Sequence, residues 1–499
     1  MSFSQLKTLL TTIHDYQAIA ELLSWDQQTL MPPKGDAARA RQAALAATEA
    51  HRLITSKELG DLLEKAQTEA LDPDQRLVVA KAARDRNRAA RMPADLVERL
   101  VSVTSRAHHI WIEARQSNDF ESFAPVLDEI IGLKREQAEA LGWPDSGEPY
   151  DALLDEYEEQ TTCRDIAPVI DDVAQEASRA LSAIQDSRKK PDRSLLERQY
   201  PETGQEQFCR MVLDAMGFDF QAGRLDRSAH PFTTSFDPGD VRLTTRYNER
   251  FLPTAVFGTI HEGGHGLYEQ GLDKNWVGTA LAEAVSLGLH ESQSRLWENQ
   301  IGRSLSFWTH FYPKLKALFP DSLGDVPLDA FYRAINSVQP SLIRVEADEV
   351  SYNLHIALRF RLERALVSGD LQVGDLPGAW NEASKRLFGI EPKSHVEGVL
   401  QDVHWSMGLI GYFPTYLLGN LYAAQIAEAL RHDIPDMDDQ IAQGRFSAIV
   451  AWLRSKIHSA GRRWAPGELI ERATGRPPSA KPFSRYLRDK YASLYDVDW

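Results

Sequence analysis

Along most of this chain apolar residues return every third or fourth position, a period that fits helices packed against helices. Before about residue 130, "LKTLLTTIHDYQAIAELLSW", "RLVVAKAARDRNRAARM" and "ADLVERLVSVTSRAHHIWIEARQ" read as amphipathic helices. "MPPKGD" from Met31 interrupts the first of them, because proline lacks an amide hydrogen and disfavours helix in the residue before it. Similar runs cover about residues 253–300, 328–366 and 416 to the C-terminus. Only about residues 218–250 read differently: turn formers and β-favouring residues, notably "VRLTTRY", predict a small antiparallel sheet. The expected fold is mainly α with one minor sheet.

At 499 residues the chain has length for about three average domains, although one large helical body reaches this size. Its 43% hydrophobic and 26% charged residues are those of an ordinary globular protein. Acidic residues outnumber basic ones 72 to 56, and a net charge of -16 argues against nucleic acid or an anionic membrane surface as partner. The two cysteines, Cys163 and Cys209, offer neither a disulfide framework nor a thiolate metal site. No stretch has the roughly 18 consecutive apolar residues of a membrane span, and the N-terminus lacks the pattern of a secretion signal. A cytoplasmic location is expected.

The chemistry concentrates in "GTIHEGGHGLYEQG", residues 258–271. On a helix, His261 and His265 lie one turn apart on one face and can aim both imidazoles at one cation, with Glu262 beside them to take a proton from an activated water. Gly263 and Gly264 each weaken a helix interior by about 1 kcal/mol relative to alanine. Something must therefore approach the backbone closely there, either at the site or at a tight helix crossing. A catalytic metal of this type needs a third protein ligand. "LAEAVSLGLHESQSRLWENQ" offers Glu283 and Glu291, eight residues apart, and spacing does not choose between them.

Two further clusters carry polar groups in apolar surroundings. Arg344 and Asp348 in "LIRVEADEV" stand four apart, as in a surface ion pair on a helix, while an arginine can also clamp a carboxylate through its two-pronged donors. "GVLQDVHWSMGLIGYFPTY" brings Asp402, His404, Tyr412 and Tyr416 close in sequence.

Taken in order, "HPF" from His230, "DVRLT" from Asp240, "HEGGH" from His261, "HESQ" from His290, "IRVEAD" from Ile343 and "GVLQDVHW" from Gly398 resemble the carboxypeptidase Taq family of zinc metallocarboxypeptidases. "YDALLDEYE" from Tyr150 and "GYFPTYLLGNLYAAQ" from Gly411 look like the same family, and residues 1 to about 140 carry fewer markers, "SWDQQTLMP" the best of them. The resemblance implies Glu291 as third metal ligand beside His261 and His265, Glu262 as general base, and Arg344 as receiver of a peptide's C-terminal carboxylate. Glu283 then supports the site or the fold. His230, His404 and Tyr416 are implied to line the site and donate hydrogen bonds to the oxyanion, with Tyr412 near the substrate. Asp402 either orients His404 or caps a helix. Gly266, where many relatives are expected to carry alanine, is a minor departure.

The same resemblance implies one catalytic domain over residues 1–499, with residues 1–200 mostly helical and residues 201–499 carrying the zinc site. It implies a large helical zincin-type body with a deep central groove, the small sheet beside the metal, one Zn2+ per chain with Co2+ able to substitute, and a homodimer. The expected activity is release of single C-terminal amino acids, with broad specificity, from peptides that have a free terminal carboxylate. The alternatives are an endopeptidase or a dipeptide-releasing carboxypeptidase on the same site, or an inactive helical peptide-binding scaffold.

Overall fold

A computed structural model describes residues 2–499. The chain divides into two compact units, each assembled from separated segments: Met1–Ala90, Pro191–Ile335 and Tyr422–Pro478 form one, and Arg91–Lys190, Asn336–Leu421 and Ser479–Trp499 the other. Both are mainly helical, as the periodicity predicts.

In the first unit, helices Ser2–Thr29 and Asp36–Ile54 form a hairpin, broken at "MPPKGD" where the sequence places the break. Leu6, Ile13, Leu53, Leu59, Leu63 and Val79 make a core cluster beneath it. Farther along, Phe208 stacks on Trp308 with ring centroids 6.0 Å apart, and Phe307 packs on Phe311 at 4.4 Å. The same unit carries a three-stranded sheet of β1 (Gly223–Arg227), β2 (Thr233–Asp237) and β3 (Asp240–Thr245) in the order β1-β3-β2.

The β2–β3 pair is antiparallel, as expected, but β1 pairs with β3 in parallel, Leu225 opposite Leu243, so the sheet is mixed. Alternating polarity along a strand marks its faces and says nothing about its partner's direction. Fully buried Val241 and Leu243 give β3 its apolar face.

The expected helical run over 253–300 is two helices, Pro253–Gln270 and Leu287–Arg295, the second continuing as a π-helical turn at Leu296–Ile301. Proline at the first position suits the start of Pro253–Gln270, since the amide it lacks has no partner in a first turn. Ser286 starts the second helix by accepting a hydrogen bond from the Leu289 amide at 3.1 Å.

The second unit is built around helix Ser351–Ser368, which is buried along most of its length although it carries Asn353, His355, Arg359 and Glu363, whose polar groups find partners inside the unit. Helices Ala94–Ser117, Phe120–Leu141, Cys163–Asp186 and Leu376–Phe388 belong to this unit. The helix expected over 328–366 is interrupted: one helix ends at Ile335, Pro340 cannot donate to a helical ladder, and only a 3-10 turn, Arg344–Glu346, precedes Ser351.

Candidate functional site

Helix Pro253–Gln270 places the His261 and His265 rings 4.9 Å apart, as its pitch requires of positions four apart. Glu291, from helix Leu287–Arg295, reaches them with Oε2 3.6 Å from His261 Nε2 and 3.5 Å from His265 Nε2. Donors about 2.0–2.2 Å from a tetrahedral ion stand about 3.3–3.6 Å from one another, so these spacings fit one cation held by two imidazoles and a carboxylate. Among the described residues, one group of three ligating side chains has its donor atoms within 4.8 Å of one another, and it is His261, His265 and Glu291. Glu283 lies elsewhere, exposed and bonded to Arg462 at 2.9 Å.

The glycine pair has a packing explanation. A Cβ on Gly264 would stand 2.6 Å from the Gln293 carbonyl oxygen and 2.7 Å from Ser294 Cα, main-chain atoms of the helix that carries Glu291. One on Gly263 would meet Leu213 at 2.5 Å and Met216 at 3.0 Å, both on helix Glu202–Met216. The histidine helix is thus clasped closely on two sides, and the contact at Gly264 brings Glu291 within reach of the imidazoles. Gly266 is equally confined, 2.8 Å from Leu243 and from Phe218.

Each imidazole is also held from behind. His261 Nδ1 lies 3.0 Å from Glu298 Oε2, and Glu298 is bonded in turn by Arg295 and Arg303. His265 Nδ1 lies 2.5 Å from His290 Nδ1, whose Nε2 is 2.7 Å from Glu269 Oε1. These contacts occupy both Nδ1 atoms and leave both Nε2 atoms for the cluster; fixing tautomer and ring plane in this way raises a ligand's affinity for metal. Sequence reasoning missed Glu298, Glu269 and Arg295. Their signal was present: Glu298 is seven positions after Glu291 and Glu269 four after His265, each on the same helical face as that residue.

Charge in this cluster is set by burial against close partners. Burial lowers His265 to about 3, with His290 adding to it, and keeps the imidazole in the neutral form that binds cations. Burial alone would raise Glu291, but Arg295 and the two histidines overcome it and hold the carboxyl well below its usual range. Glu262 is pushed upward by burial, against the pull of His261 and of the Thr233 hydroxyl, which donates to its Oε2 at 2.7 Å. Thr233 is the first residue of β2, so the sheet fixes the direction of this carboxyl. His230 sits exposed in the turn before β2 and does not join the ligating cluster.

In the second unit Arg344 is buried and has no ion pair with Asp348. Asp348 instead caps helix Ser351–Ser368, accepting from the Ser351 amide at 2.9 Å, and also accepts from the Gln339 amide at 3.0 Å. The surface-pair alternative fails because residues 336–350 do not form a helix. Asp402 is the partner of Arg344: its Oδ1 accepts from Arg344 Nε at 2.8 Å and its Oδ2 from Arg359 Nε at 2.6 Å. It therefore neither bonds His404, whose Nδ1 is buried without a partner, nor caps a helix.

Arg344 further donates to the Tyr352 hydroxyl at 3.2 Å and lies 5.2 Å from the Tyr416 ring centre. His404 Nε2 is 3.2 Å from the Tyr416 hydroxyl, and Tyr412 packs on both, with ring centroids 5.4 Å and 5.3 Å away. Burial lowers His404 to about 4; Asp402 opposes the shift, and Arg344 and Arg359 add to it. The structure thus gathers Arg344, His404, Tyr412 and Tyr416 into one aromatic and cationic group.

Residues 5–491 match the family described as carboxypeptidase Taq (M32) metallopeptidase. The chain belongs to that family. It is 46% identical over 489 residues to Thermostable carboxypeptidase 1 of Thermus thermophilus, covering 96% of each chain. Carboxypeptidase 1 of Bacillus subtilis is 38% identical, with 98% of this chain and 97% of that protein covered. The solved structure of an M32 carboxypeptidase from Deinococcus radiodurans superimposes with a TM-score of 0.97 at 39% identity, over 99% of this chain and 100% of that one. As a carboxypeptidase Taq family member the protein is an enzyme, a metallocarboxypeptidase that requires a metal ion. Among the described residues, no helix is long and apolar enough to cross a membrane.

Proposed function

We propose that the protein is a zinc-dependent carboxypeptidase that releases single C-terminal amino acids from peptides with broad specificity. The observation that carries this reading is the convergence of His261 Nε2 and His265 Nε2 on the Glu291 carboxylate, 3.6 Å and 3.5 Å away, with all three donors within 4.8 Å of one another. Two nitrogen donors and one oxygen donor suit Zn2+, with Co2+ able to replace it. When bound there, the cation supplies Lewis acidity to a water and to the scissile carbonyl.

The chain's own groups do the rest. Glu262, aimed by Thr233, takes the water's proton and returns it to the departing amine. Arg344 receives the terminal carboxylate through charge-assisted hydrogen bonds, held in place by Asp402 and Tyr352. His404 and Tyr416 donate to the oxygen that gains negative charge; His230 also donates there, and Tyr412 lines the substrate's path. The resemblance adds a single catalytic domain and a homodimer, which sedimentation tests, and the cysteine usage and N-terminal pattern add a cytoplasmic location.

Digestion of a peptide with a free C-terminus, followed by mass spectrometry, tests the activity. One-residue ladders that stop on chelation and resume with Zn2+ or Co2+ are expected. Two-residue steps or internal cuts favour the rival activities, and activity indifferent to chelation contradicts the proposal.

A further inference from the structure

Glu363 is fully buried on helix Ser351–Ser368, and no step above uses it. Its Oε2 accepts from the Tyr150 hydroxyl at 2.6 Å and from the Gly411 amide at 3.1 Å, and its Oε1 accepts from the Trp405 indole N–H at 2.8 Å. Trp405 follows His404 in the chain and Gly411 precedes Tyr412. One carboxyl therefore ties both ends of the turn that carries these two side chains.

The turn has little freedom of its own. Gly408 and Gly411 have φ of 69° and 91°, in the left-handed region, and a Cβ on Gly411 would stand 2.9 Å from the Leu153 carbonyl carbon. One helical turn before Glu363, Arg359 grips Asp402 at the entrance to the same segment. Burying a carboxyl among neutral donors is unfavourable, and burial pushes this one up to about 7 against the three hydrogen bonds. A leucine would fill the space without that cost. What leucine cannot do is fix an indole, a phenol and a main-chain amide at one point.

We propose that Glu363 is a positioning residue for catalysis: by holding Trp405 and Gly411 it sets the main chain so that His404 keeps the geometry, 3.2 Å from the Tyr416 hydroxyl, in which it donates to the developing oxyanion. This rests on the reading of His404 and Tyr416 given under the proposed function.

Glu363→Gln keeps the shape but sets an NH2 against either the indole or the Gly411 N–H, whichever way the amide is turned. Its expected effect is a loss of about tenfold or more in kcat, with KM within about twofold and metal content unchanged. Adding Trp405→Phe removes the opposing N–H and restores kcat to within about threefold of Trp405→Phe alone. In a His404→Ala background Glu363→Gln adds no further loss.

Unchanged kcat in Glu363→Gln, a loss that Trp405→Phe does not relieve, or a loss lying mainly in KM overturns the proposal. Should Glu363→Gln not fold, Tyr150→Phe removes one donor from the same carboxyl: a kcat loss of about threefold that disappears in the His404→Ala background supports positioning, and wild-type kcat overturns it. A His404→Ala protein with wild-type kcat defeats the underlying reading of the site. A loss there beside a wild-type Glu363→Gln defeats the positioning role alone.

Discussion

The His261–His265–Glu291 cluster and the Arg344 cluster both gather polar groups in the protein's interior, but they are built in opposite ways. His261, His265 and Glu291 stand on two regular helices, and helix pitch plus one close crossing at Gly264 brings them together. Arg344, Asp402 and His404 stand on irregular main chain, where charge pairs and hydrogen bonds from helix Ser351–Ser368 do the positioning. Periodic backbone places ligands through spacing; irregular backbone needs buried polar anchors, and those anchors are where it is vulnerable.

The largest difference should follow removal of an anchor. Asp402→Asn leaves Arg344 and Arg359 as buried, uncompensated cations, and denaturant unfolding should show a loss of about 3–5 kcal/mol. A loss below about 1 kcal/mol, the size of an exposed pair, would break the comparison. Next comes the helix crossing. Gly264→Ala sets a methyl against main chain that cannot move aside, so a loss of about 1–3 kcal/mol is expected, with weaker metal binding as Glu291 is pushed away. Unchanged metal affinity in a folded Gly264→Ala protein would separate the crossing from the site.

A smaller effect is set by pH. His404 titrates at about 4 in the folded protein and near 6.5 when unfolded. Above about 6.5 both forms are neutral and the protein keeps the whole contribution; as pH falls toward 4 the unfolded chain takes up the proton first and stability is lost. Imidazole NMR should find His404 neutral at about pH 5, and a native titration near 6.5 would contradict its burial beside two arginines.

This contrast also explains what the sequence disclosed. His261 and His265 were legible because four residues make one helical turn, and the break at "MPPKGD" because proline has no amide to donate. Glu291 and Glu283 could not be told apart by spacing, since the intervening chain leaves the helix and turns. Of the two readings open for Arg344, the ion pair with Asp348 falls away for a related reason: the helical run does not extend through Pro340, so positions four apart are not paired in space, and the partner lies 58 residues on. Parallel pairing of β1 with β3 was invisible because strand alternation carries no direction. Glu298 and Glu269 were readable in principle by extending the histidine and glutamate faces by one or two turns.

The central claim, that His261, His265 and Glu291 hold one catalytic metal ion, is tested most directly by X-ray absorption of the metal-loaded protein combined with metal counting. The account predicts one ion per chain with two imidazole nitrogens and carboxylate oxygen in its coordination shell, and loss of that ion in His265→Ala. A fully loaded His265→Ala protein, or a coordination shell without imidazole, would contradict it.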